Sequence, residues 1–401
     1  MRKDVDKILT ENDIGSMLLY VDKPPDLNLY YLSRFVPLGP AVYLKNVNQD
    51  PLMIVIPSEV QRAQKESLVK NVHSFFDYEC ISLVKSASDQ RLGLIKFVAA
   101  VAKTELDAKK FIYVPPNLPV IVADILRHEG LKATPQLDVL EKARETKEPD
   151  ETETIQTVQR TAEKAMTEAI ETIKNSETGS NKTLQYSEDG KKKTLTVGKI
   201  RSVISQVFNE ESVVAEEGET QIASGLRSAD SDYDGETQDV LKAGEPIVLD
   251  LFPKSARKLY HTDTARTIVK DKAPKQIKHM FETVVQTKDA MVDALKAGVS
   301  TVDIENLCFD LLEKAGYETM RDGKQITKGL LHAVGHGVGL DSNERPAISG
   351  FNKYHLKEHN IVTSELGLYD PDVGGVRIED ILEITKTDCR NMTSMKTLLE
   401  I

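Results

Sequence analysis

Residues 330–346 have the sequence LLHAVGHGVGLDSNERP, in which His332 and His336 stand among closely spaced glycines. Glycine has no Cβ, so a histidine between glycines lies on backbone that can approach another group closely. An imidazole in such a segment is a candidate metal ligand or catalytic group. The alternative for an isolated histidine is a turn or core residue whose ring makes ordinary hydrogen bonds. The rest of the chain has to separate these two interpretations.

Three further segments place carboxylates in otherwise apolar runs. Asp250 and Asp263 lie in EPIVLDLFPKSARKLYHTDTART, and their spacing predicts that two antiparallel strands bring them opposite each other on one sheet face. Glu365 lies in NIVTSELGLY and Glu379 in GGVRIEDILEIT, with the turn-forming DPDVGG between them. A carboxylate buried in a strand is costly unless it is paired or bound to a metal. The alternatives are a strand cap at Asp250, an ion pair of Asp263 with Arg266, and glutamates that face water.

Four carboxylates and one imidazole form an oxygen-rich ligand set with a single nitrogen. Such a set suits a pair of Mn²⁺, Co²⁺, Fe²⁺ or Zn²⁺ ions, and ligand chemistry alone does not select among them. Two ions that share a water lower its pKa, so hydroxide becomes available near neutral pH, and they also polarise a carbonyl. The combination therefore predicts a centre for amide hydrolysis.

The N-terminal part of the chain has a different pattern. Over residues 1–140, short β-branched runs such as MLLYV, AVYLK and FIYVPP alternate with helical patterns, which favours an α/β domain with a mixed sheet. A charged stretch then ends at Pro149 and Asp150, which fit a helix start. The sequence thus predicts two domains, 1–145 and 146–401.

The second domain shows an internal repeat in the order of its elements. Two helical stretches, 150–174 and 197–210, precede strands that carry the two aspartates. Two more, 275–297 and 302–315, precede strands that carry His336 and the two glutamates. Helix, helix and strands, twice over, predict a duplicated α+β unit whose halves face each other across a cleft.

Composition narrows the function classes. The 401 residues are 40% apolar and carry a net charge of −11, which opposes nucleic-acid binding, and no apolar run predicts a membrane span. The lysines at 191–193 lie in SNKTLQYSEDGKKKT, which is interpreted as a solvated surface loop. Three scattered cysteines and the lack of a signal-peptide pattern indicate a reducing cytoplasm with buried thiols.

The ligand order Asp, Asp, His, Glu, Glu resembles that of the pitta-bread metallopeptidases, a family that includes methionine aminopeptidase, aminopeptidase P, prolidase and the metal-free creatinase. The segments that carry the resemblance, spread over about 150–390, are DLFPKSARKLYHTDTART, HAVGHGVGL, SELGLYDP and GGVRIED. It implies a pitta-bread fold for the second domain. It also implies a metallopeptidase activity that uses two divalent metal ions per chain.

The resemblance further implies a role for each matching residue. By that match the metal ligands are Asp250, Asp263, His336, Glu365 and Glu379. Glu365 would also be the general base, and His332 matches a substrate-side histidine that hydrogen-bonds the scissile carbonyl or moves a proton. Arg377 and Tyr369 would orient the carboxylates through hydrogen bonds.

The first domain is similar to the accessory domain of creatinase, aminopeptidase P and prolidase, with PPDLNLYYLSRF at 24–35 as a weak marker. This favours the members that act on Xaa-Pro bonds over methionine aminopeptidase. It implies short peptides with proline at the second position as substrates. It also implies a homodimer, in which the accessory domain of one subunit closes over its partner's cleft.

Several positions depart from the family pattern. Asn343 stands where prolidase-like members carry a further histidine, and Asp232 and Tyr233 occupy a region that usually holds another. Leu366 replaces the proline of the usual Glu-Pro-Gly. Asn343 can still donate a hydrogen bond, but it cannot carry a proton as imidazole does.

His261 is a candidate to compensate for the missing histidines, since its spacing of two residues predicts the same strand face as Asp263. It is interpreted here as a surface residue instead. The missing histidines motivate one alternative to an Xaa-Pro peptidase, a metal-dependent hydrolase or lyase of a small non-peptide substrate. A second alternative is a non-catalytic binding module, since some relatives of this fold have lost catalysis. Retention of all five ligands argues against the module, because four buried like charges need a cation.

Overall fold

The computed structural model describes residues 3–107, 109–137, 139–351 and 353–401. The chain divides into two compact units, 1–144 and 145–401. No helix among the described residues is both long and apolar enough to span a membrane.

The first unit combines a six-stranded sheet with helices. Its elements are α1 (Lys3–Glu11), β1 (Ile14–Val21), α2 (Leu27–Ser33), β2 (Ala41–Asn46), β3 (Leu52–Val55), α3 (Val60–Glu66), β4 (Asn71–Ser74), α4 (Cys80–Ser86), α5 (Gln90–Glu105), β5 (Phe111–Val114), α6 (Val120–His128), β6 (Ala133–Pro135) and α7 (Val139–Arg144). The strand order is β4-β3-β2-β1-β5-β6. The pairs β1–β2 and β2–β3 are antiparallel and the others are parallel. The predicted α/β unit with a mixed sheet is confirmed.

The second unit contains two helix pairs, each followed by strands. Its elements are α8 (Pro149–Lys174), β7 (Glu177–Thr178), β8 (Leu184–Glu188), β9 (Lys191–Thr194), α9 (Val197–Glu210), β10 (Val213–Val214), β11 (Thr220–Ser224), β12 (Pro246–Leu251), β13 (Lys254–Ser255), β14 (Thr264–Val269), α10 (Lys275–Ala294), α11 (Thr301–Lys314), β15 (Gly335–Gly337), β16 (Glu344–Ile348), β17 (Ile361–Asp370), β18 (Gly374–Ile384) and β19 (Cys389–Asn391). The predicted helix, helix and strands pattern is thus confirmed in both halves.

The long helix α8 begins where the sequence predicts. Pro149 occupies its first turn, where a missing N–H costs nothing. Glu148 and Glu151 form a reciprocal capping box around that turn, in which each side chain accepts from the other residue's backbone. These local signals end the preceding segment and start the second unit's first helix.

One eight-stranded sheet joins the two halves, in the order β11-β12-β14-β18-β17-β15-β16, with β19 paired to β18. Apolar residues of α8 and α9 pack on β11, β12 and β14. Those of α10 and α11 pack on the strands that come later in the chain. Each half therefore has its own hydrophobic core, and both halves contribute strands to the shared sheet.

The structure of the charged insert at 176–195 corrects one prediction from the sequence. The segment interpreted as a loop forms a small three-stranded antiparallel sheet, β7-β8-β9, with the lysines of β9 exposed. Asp189 and Gly190 both have positive φ values, 51° and 73°, at the turn between β8 and β9. An Asp-Gly pair with this geometry matches the right-handed twist of the flanking strands and closes a hairpin. The polar composition of the segment favoured a loop, although this Asp-Gly pair is typical of a hairpin.

Candidate metal centre

Strand register aligns three of the five candidate ligands across the central sheet. Asp250 on β12 is paired with Ala265 on β14, and Ala265 is paired with Glu379 on β18. Glu379 is in turn directly opposite Glu365 on β17. Side chains of directly paired residues point to the same face of a sheet, so the three carboxylates share one face.

Asp263 reaches the same face from a different position than the sequence predicted. It immediately precedes β14, two residues before Ala265, which is the actual partner of Asp250. The two aspartates therefore lie on one face, as expected, but are offset diagonally rather than opposite each other. The spacing argument assumed that the residues between the two aspartates form paired strands joined by a short turn. Part of that stretch instead forms a longer connection that contains β13.

His336 approaches this face from β15. Its Nε2 lies 3.7 Å from a carboxylate oxygen of each of Asp263, Glu365 and Glu379. Its Nδ1 lies 3.2 Å from the Gly337 carbonyl, which can only accept, so Nδ1 donates this hydrogen bond and Nε2 is the ring nitrogen that faces the carboxylates. Metal ligation by Nε2 requires this orientation of the ring.

The glycines around His336 are needed for this approach. A Cβ at Gly335 would lie 2.2 Å from the Thr363 carbonyl oxygen, and one at Gly337 would lie 2.4 Å from that of Arg345. Neither distance is tolerable, because both neighbours are backbone atoms. The backbone of His336 also donates to Thr363 Oγ1 at 3.2 Å. Close packing against β17 and β16 thus holds the imidazole over the carboxylates.

The buried carboxylates differ in the direction in which their pKa values are shifted. Asp250, Asp263 and Glu379 are at most 5% exposed. Burial, together with the neighbouring carboxylates, raises the pKa of Asp263 and of Glu379 well above the ordinary value. Burial also raises the pKa of Asp250, although Arg377 opposes it. For Glu365 burial acts in the same direction, but His332, Arg377 and His336 outweigh it and lower its pKa.

Unsatisfied oxygens show what this face could hold. Three buried carboxylate oxygens on this face have no hydrogen-bond donor among the described residues: Oδ1 of Asp250, Oδ1 of Asp263 and Oε1 of Glu379. Ligand atoms of Asp263, His336 and Glu379 lie within 4.8 Å of one another, a spacing suited to a metal ion. Buried oxygens without donors are strongly unfavourable, and a divalent cation would satisfy them. The residues therefore fit a metal.

Arg377 organises the other side of the centre. Its Nη1 donates to Asp250 Oδ2 at 2.5 Å and its Nε donates to the Tyr369 hydroxyl at 2.8 Å. That hydroxyl lies 2.9 Å from Nε2 of His332, whose Nδ1 lies 2.8 Å from the Ala333 carbonyl. The chain of hydrogen bonds orients Asp250 and occupies both ring nitrogens of His332.

The face opens into a cavity of about 300 Å³. Every candidate ligand lines it, as do His332, Arg377 and Asn343. Asn343 is exposed at this surface. Asp232 also lines the cavity, whereas the Tyr233 hydroxyl is bonded to Asp239 and Arg227. The cavity thus gathers residues that are widely separated in the sequence.

His261 is not a surface residue, so that interpretation was wrong. It is 5% exposed, its backbone N–H donates to Gly339 O at 2.7 Å, and its Nδ1 lies 3.1 Å from Phe252 O. The segment after the GHG motif, far away in sequence, covers it. Two contributors were missed altogether: Gln221 and Ser231, which both accept from Arg377. No spacing signal marked them, since both lie outside the recognised segments.

Buried carboxylates arranged around one imidazole on an antiparallel sheet define the chemistry of a hydrolytic metal centre. Comparisons with known proteins agree with that class. Residues 153–386 match the model of metallopeptidase family M24. The chain belongs to this family and is a metallopeptidase, which confirms the resemblance seen in the sequence.

The relatives extend over nearly the whole chain. The Xaa-Pro dipeptidase of Pyrococcus furiosus is 26% identical over 388 residues, which cover 96% of this chain and 95% of the relative. Among solved structures, the prolidase from Pyrococcus horikoshii OT3 superposes with a TM-score of 0.76 at 23% identity, covering 99% of both chains. The Xaa-Pro dipeptidase from Bacillus anthracis gives a TM-score of 0.79 at 19% identity, covering 100% of this chain and 99% of that one. The two structures confirm the fold.

Proposed function

We propose that this protein is a metal-dependent peptidase that cleaves Xaa-Pro bonds in short peptides with proline at the second position. The observation that carries the proposal is the cavity whose floor is formed by buried, donor-free carboxylate oxygens in a family M24 chain. An end-to-end relative is an Xaa-Pro dipeptidase, which favours this substrate class. Proline lacks an N–H and has a fixed φ, so its peptide bonds call for a dedicated site.

The proposed ligands of two divalent ions are the five residues whose side chains converge on this face: Asp250, Asp263, His336, Glu365 and Glu379. The donor set suits Mn²⁺, Co²⁺, Fe²⁺ or Zn²⁺. Such ions supply Lewis acidity, which activates water near neutral pH and polarises the scissile carbonyl. What supports the set is the group of oxygens without donors and the Nε2 atom of His336, which faces three of the carboxylates.

Glu365 is the proposed general base. Nearby positive groups keep its pKa low, so it is ionised at neutral pH and can accept a proton from the attacking water. Its side chain, 16% exposed, is more accessible than those of Asp263 and Glu379. It can therefore pass that proton on to the leaving proline nitrogen, which must be protonated as the bond breaks.

Three further residues have proposed supporting roles. Arg377 holds Asp250 in place, and the Tyr369 hydroxyl holds the His332 ring at the cavity wall. His332 is proposed to meet the scissile carbonyl, which requires the substrate to replace one of its present hydrogen bonds. Asn343 is proposed to donate a hydrogen bond from the cavity rim without carrying a proton.

The setting of the enzyme is also proposed. Residues 1–145 would form an accessory domain that restricts access to short substrates, and the chain would act as a homodimer, as its sequence resemblance implies. A cytoplasmic location is supported by three free cysteines. Burial raises the pKa of the Cys308 thiol to about 12, which makes it unreactive. Size-exclusion chromatography with light scattering tests the dimer.

The comparisons do not favour the alternatives of a non-peptide hydrolase or lyase and of a binding module. A substrate panel separates all three from one another. It comprises an Xaa-Pro dipeptide, an Xaa-Pro-Xaa tripeptide and a Met-Ala-Xaa tripeptide, each with metal-free and metal-loaded protein. We expect metal-dependent release before proline only, and the preferred length distinguishes a dipeptidase from an aminopeptidase.

The matched variants for this panel are His336→Ala and His359→Ala. His336→Ala removes the proposed nitrogen ligand and should abolish cleavage. His359 is an exposed histidine paired with Glu383, away from the cavity, so its loss should leave activity intact. Metal-loaded protein that cleaves none of the peptides would contradict the proposal and point to a non-peptide substrate. Protein that neither binds metal nor cleaves would favour the binding module.

A further inference from the structure

One charged residue that lines the cavity belongs neither to the proposed ligand set nor to its hydrogen-bonded supports. Asp232 lies in the segment between β11 and β12 and borders the cavity beside Ser231. The other charged or titratable residues in the described lining are the five proposed ligands, His332 and Arg377. Asp232 is therefore a separate source of negative charge at the substrate side.

The carboxylate of Asp232 has no partner among the described residues. The hydrogen bond of Asp232 to Asp230 Oδ1 is made by its backbone N–H, and its side chain is exposed. The remaining polar side chains that line this side of the cavity, Gln221, Ser342 and Asn343, are neutral. Two divalent ions would balance the four ligand carboxylates. The remaining cation of the lining, Arg377, donates to Asp250, Tyr369, Gln221 and the Ser231 carbonyl and not to the Asp232 carboxylate.

The backbone around Asp232 is anchored on both sides. The Ser231 carbonyl accepts a hydrogen bond of 2.5 Å from Nη2 of Arg377. On the other side, the Tyr233 hydroxyl is bonded to the carboxylate of Asp239. A charged group on a fixed turn binds a ligand at a lower entropic cost than one on a free loop. Asp232 is thus held in position at the cavity and lacks only a cation.

We propose that Asp232 gives the site a preference for a positive charge on the substrate residue that precedes proline. The inference rests on the proposed cleavage of Xaa-Pro bonds and specifies which of them are preferred. Two groups of that residue can carry the charge: its α-ammonium group, or the side chain of a lysine or arginine. Solvent access keeps the ion pair modest, so we expect an effect of about three- to fivefold.

The test compares four dipeptides, Lys-Pro, Arg-Pro, Leu-Pro and Glu-Pro, with metal-loaded wild type and Asp232→Asn. If a basic side chain is recognised, the variant lowers kcat/KM for Lys-Pro and Arg-Pro about three- to fivefold relative to Leu-Pro. The change appears in KM rather than kcat, because the contact is made equally before and during bond cleavage. Glu-Pro improves relative to Leu-Pro, and added salt reduces every difference.

If the α-ammonium group is recognised, Asp232→Asn weakens all four dipeptides alike. A leucine analogue without the α-amino group, 4-methylpentanoyl-proline, then shows no difference between wild type and variant. Asp234→Asn is the matched control, since it removes an equally exposed charge two residues away that does not line the cavity. Its kinetics should equal those of wild type for every substrate.

Two outcomes overturn the inference. One rejects only the role of Asp232, and the other also rejects the proposed function. Active wild-type protein whose Asp232→Asn variant is unchanged for every substrate, or is matched by Asp234→Asn, rejects the role of Asp232 alone. Wild type that cleaves neither the dipeptides nor the corresponding Xaa-Pro-Xaa tripeptides rejects the proposed function and this preference with it.

Discussion

At the scale of single residues, Asp263 and Glu379 create a conflict that a cation would resolve. Both carboxylates are buried, and burial together with neighbouring carboxylates raises the pKa of each well above its ordinary value. Without metal, folding at neutral pH requires either proton uptake or two buried negative charges. The folded protein then binds more protons than the unfolded chain, so these groups reduce stability as pH rises above about 4.

Replacing one of these charges should stabilise the metal-free protein and at the same time remove its stabilisation by metal. We expect Asp263→Asn to raise the free energy of unfolding of the metal-free protein at pH 7 by about 1–3 kcal/mol, because a neutral amide removes a buried charge. The same change should abolish the stabilisation that added Mn²⁺ gives to wild type. Urea unfolding in the presence of a chelator or of metal measures both effects.

The control for this experiment is Asp372→Asn, which removes an exposed carboxylate outside the cavity. It should change neither quantity by more than about 0.5 kcal/mol. A less stable metal-free Asp263→Asn, or one that Mn²⁺ still stabilises like wild type, would contradict the role assigned to Asp263.

At the scale of elements, the short strand β15 depends on the close approach of neighbouring backbone. A Cβ at Gly337 would lie 2.4 Å from Arg345 O and 2.7 Å from Glu344 O, so β16 would have to move. Because His336 is the adjacent residue, that shift would move its imidazole away from the carboxylates. The glycine thus connects the packing of two strands to the geometry of the centre.

Gly337→Ala should therefore lower metal affinity without removing any proposed ligand. We expect destabilisation of about 1–3 kcal/mol and a weaker apparent Kd for Mn²⁺, measured by calorimetry on folded protein. Gly350→Ala is the comparison, since its Cβ would meet only the flexible carboxylate end of Glu305 within close range. Equal metal affinity in wild type and Gly337→Ala would show that β15 tolerates the displacement.

The elements also show how far sequence predicts this molecule. Apolar periodicity and cap residues predicted the main helices and strands, since those signals are local. The hairpin of β8 and β9 was missed although Asp189 and Gly190 signal it. The burial of His261 could not be predicted, because the group that covers it, near Gly339, is distant in sequence. The ligand roles of the five site residues stay predictions, and metal-binding experiments decide them.

At the scale of the whole molecule, the centre needs both halves of the second unit. Asp250 and Asp263 come from the half whose core contains α8 and α9, and the remaining proposed ligands come from strands packed by α10 and α11. Metal binding would therefore join two separately packed halves through the shared sheet. It should stabilise the unit as a whole rather than one strand.

Metal binding should also release protons. Burial and neighbouring carboxylates raise the pKa values of Asp263 and Glu379 in the metal-free protein. A bound cation lowers them again, so we expect binding to displace protons from these groups. Calorimetry of Mn²⁺ binding at pH 6.5 in buffers of different ionisation enthalpy should give heats that depend on the buffer. Identical heats in all buffers would contradict the raised pKa values.

The most direct test of the central claim is the rate of Leu-Pro hydrolysis as a function of the metal bound per chain, with metal content and rate measured on the same samples. We predict no hydrolysis by metal-free protein and a rate that rises to a plateau at about two ions per chain. The Glu365→Gln variant should remain inactive at every loading. Hydrolysis that persists in metal-free protein, or two bound ions with cleavage of neither Leu-Pro nor a Leu-Pro-Xaa tripeptide, would contradict the account.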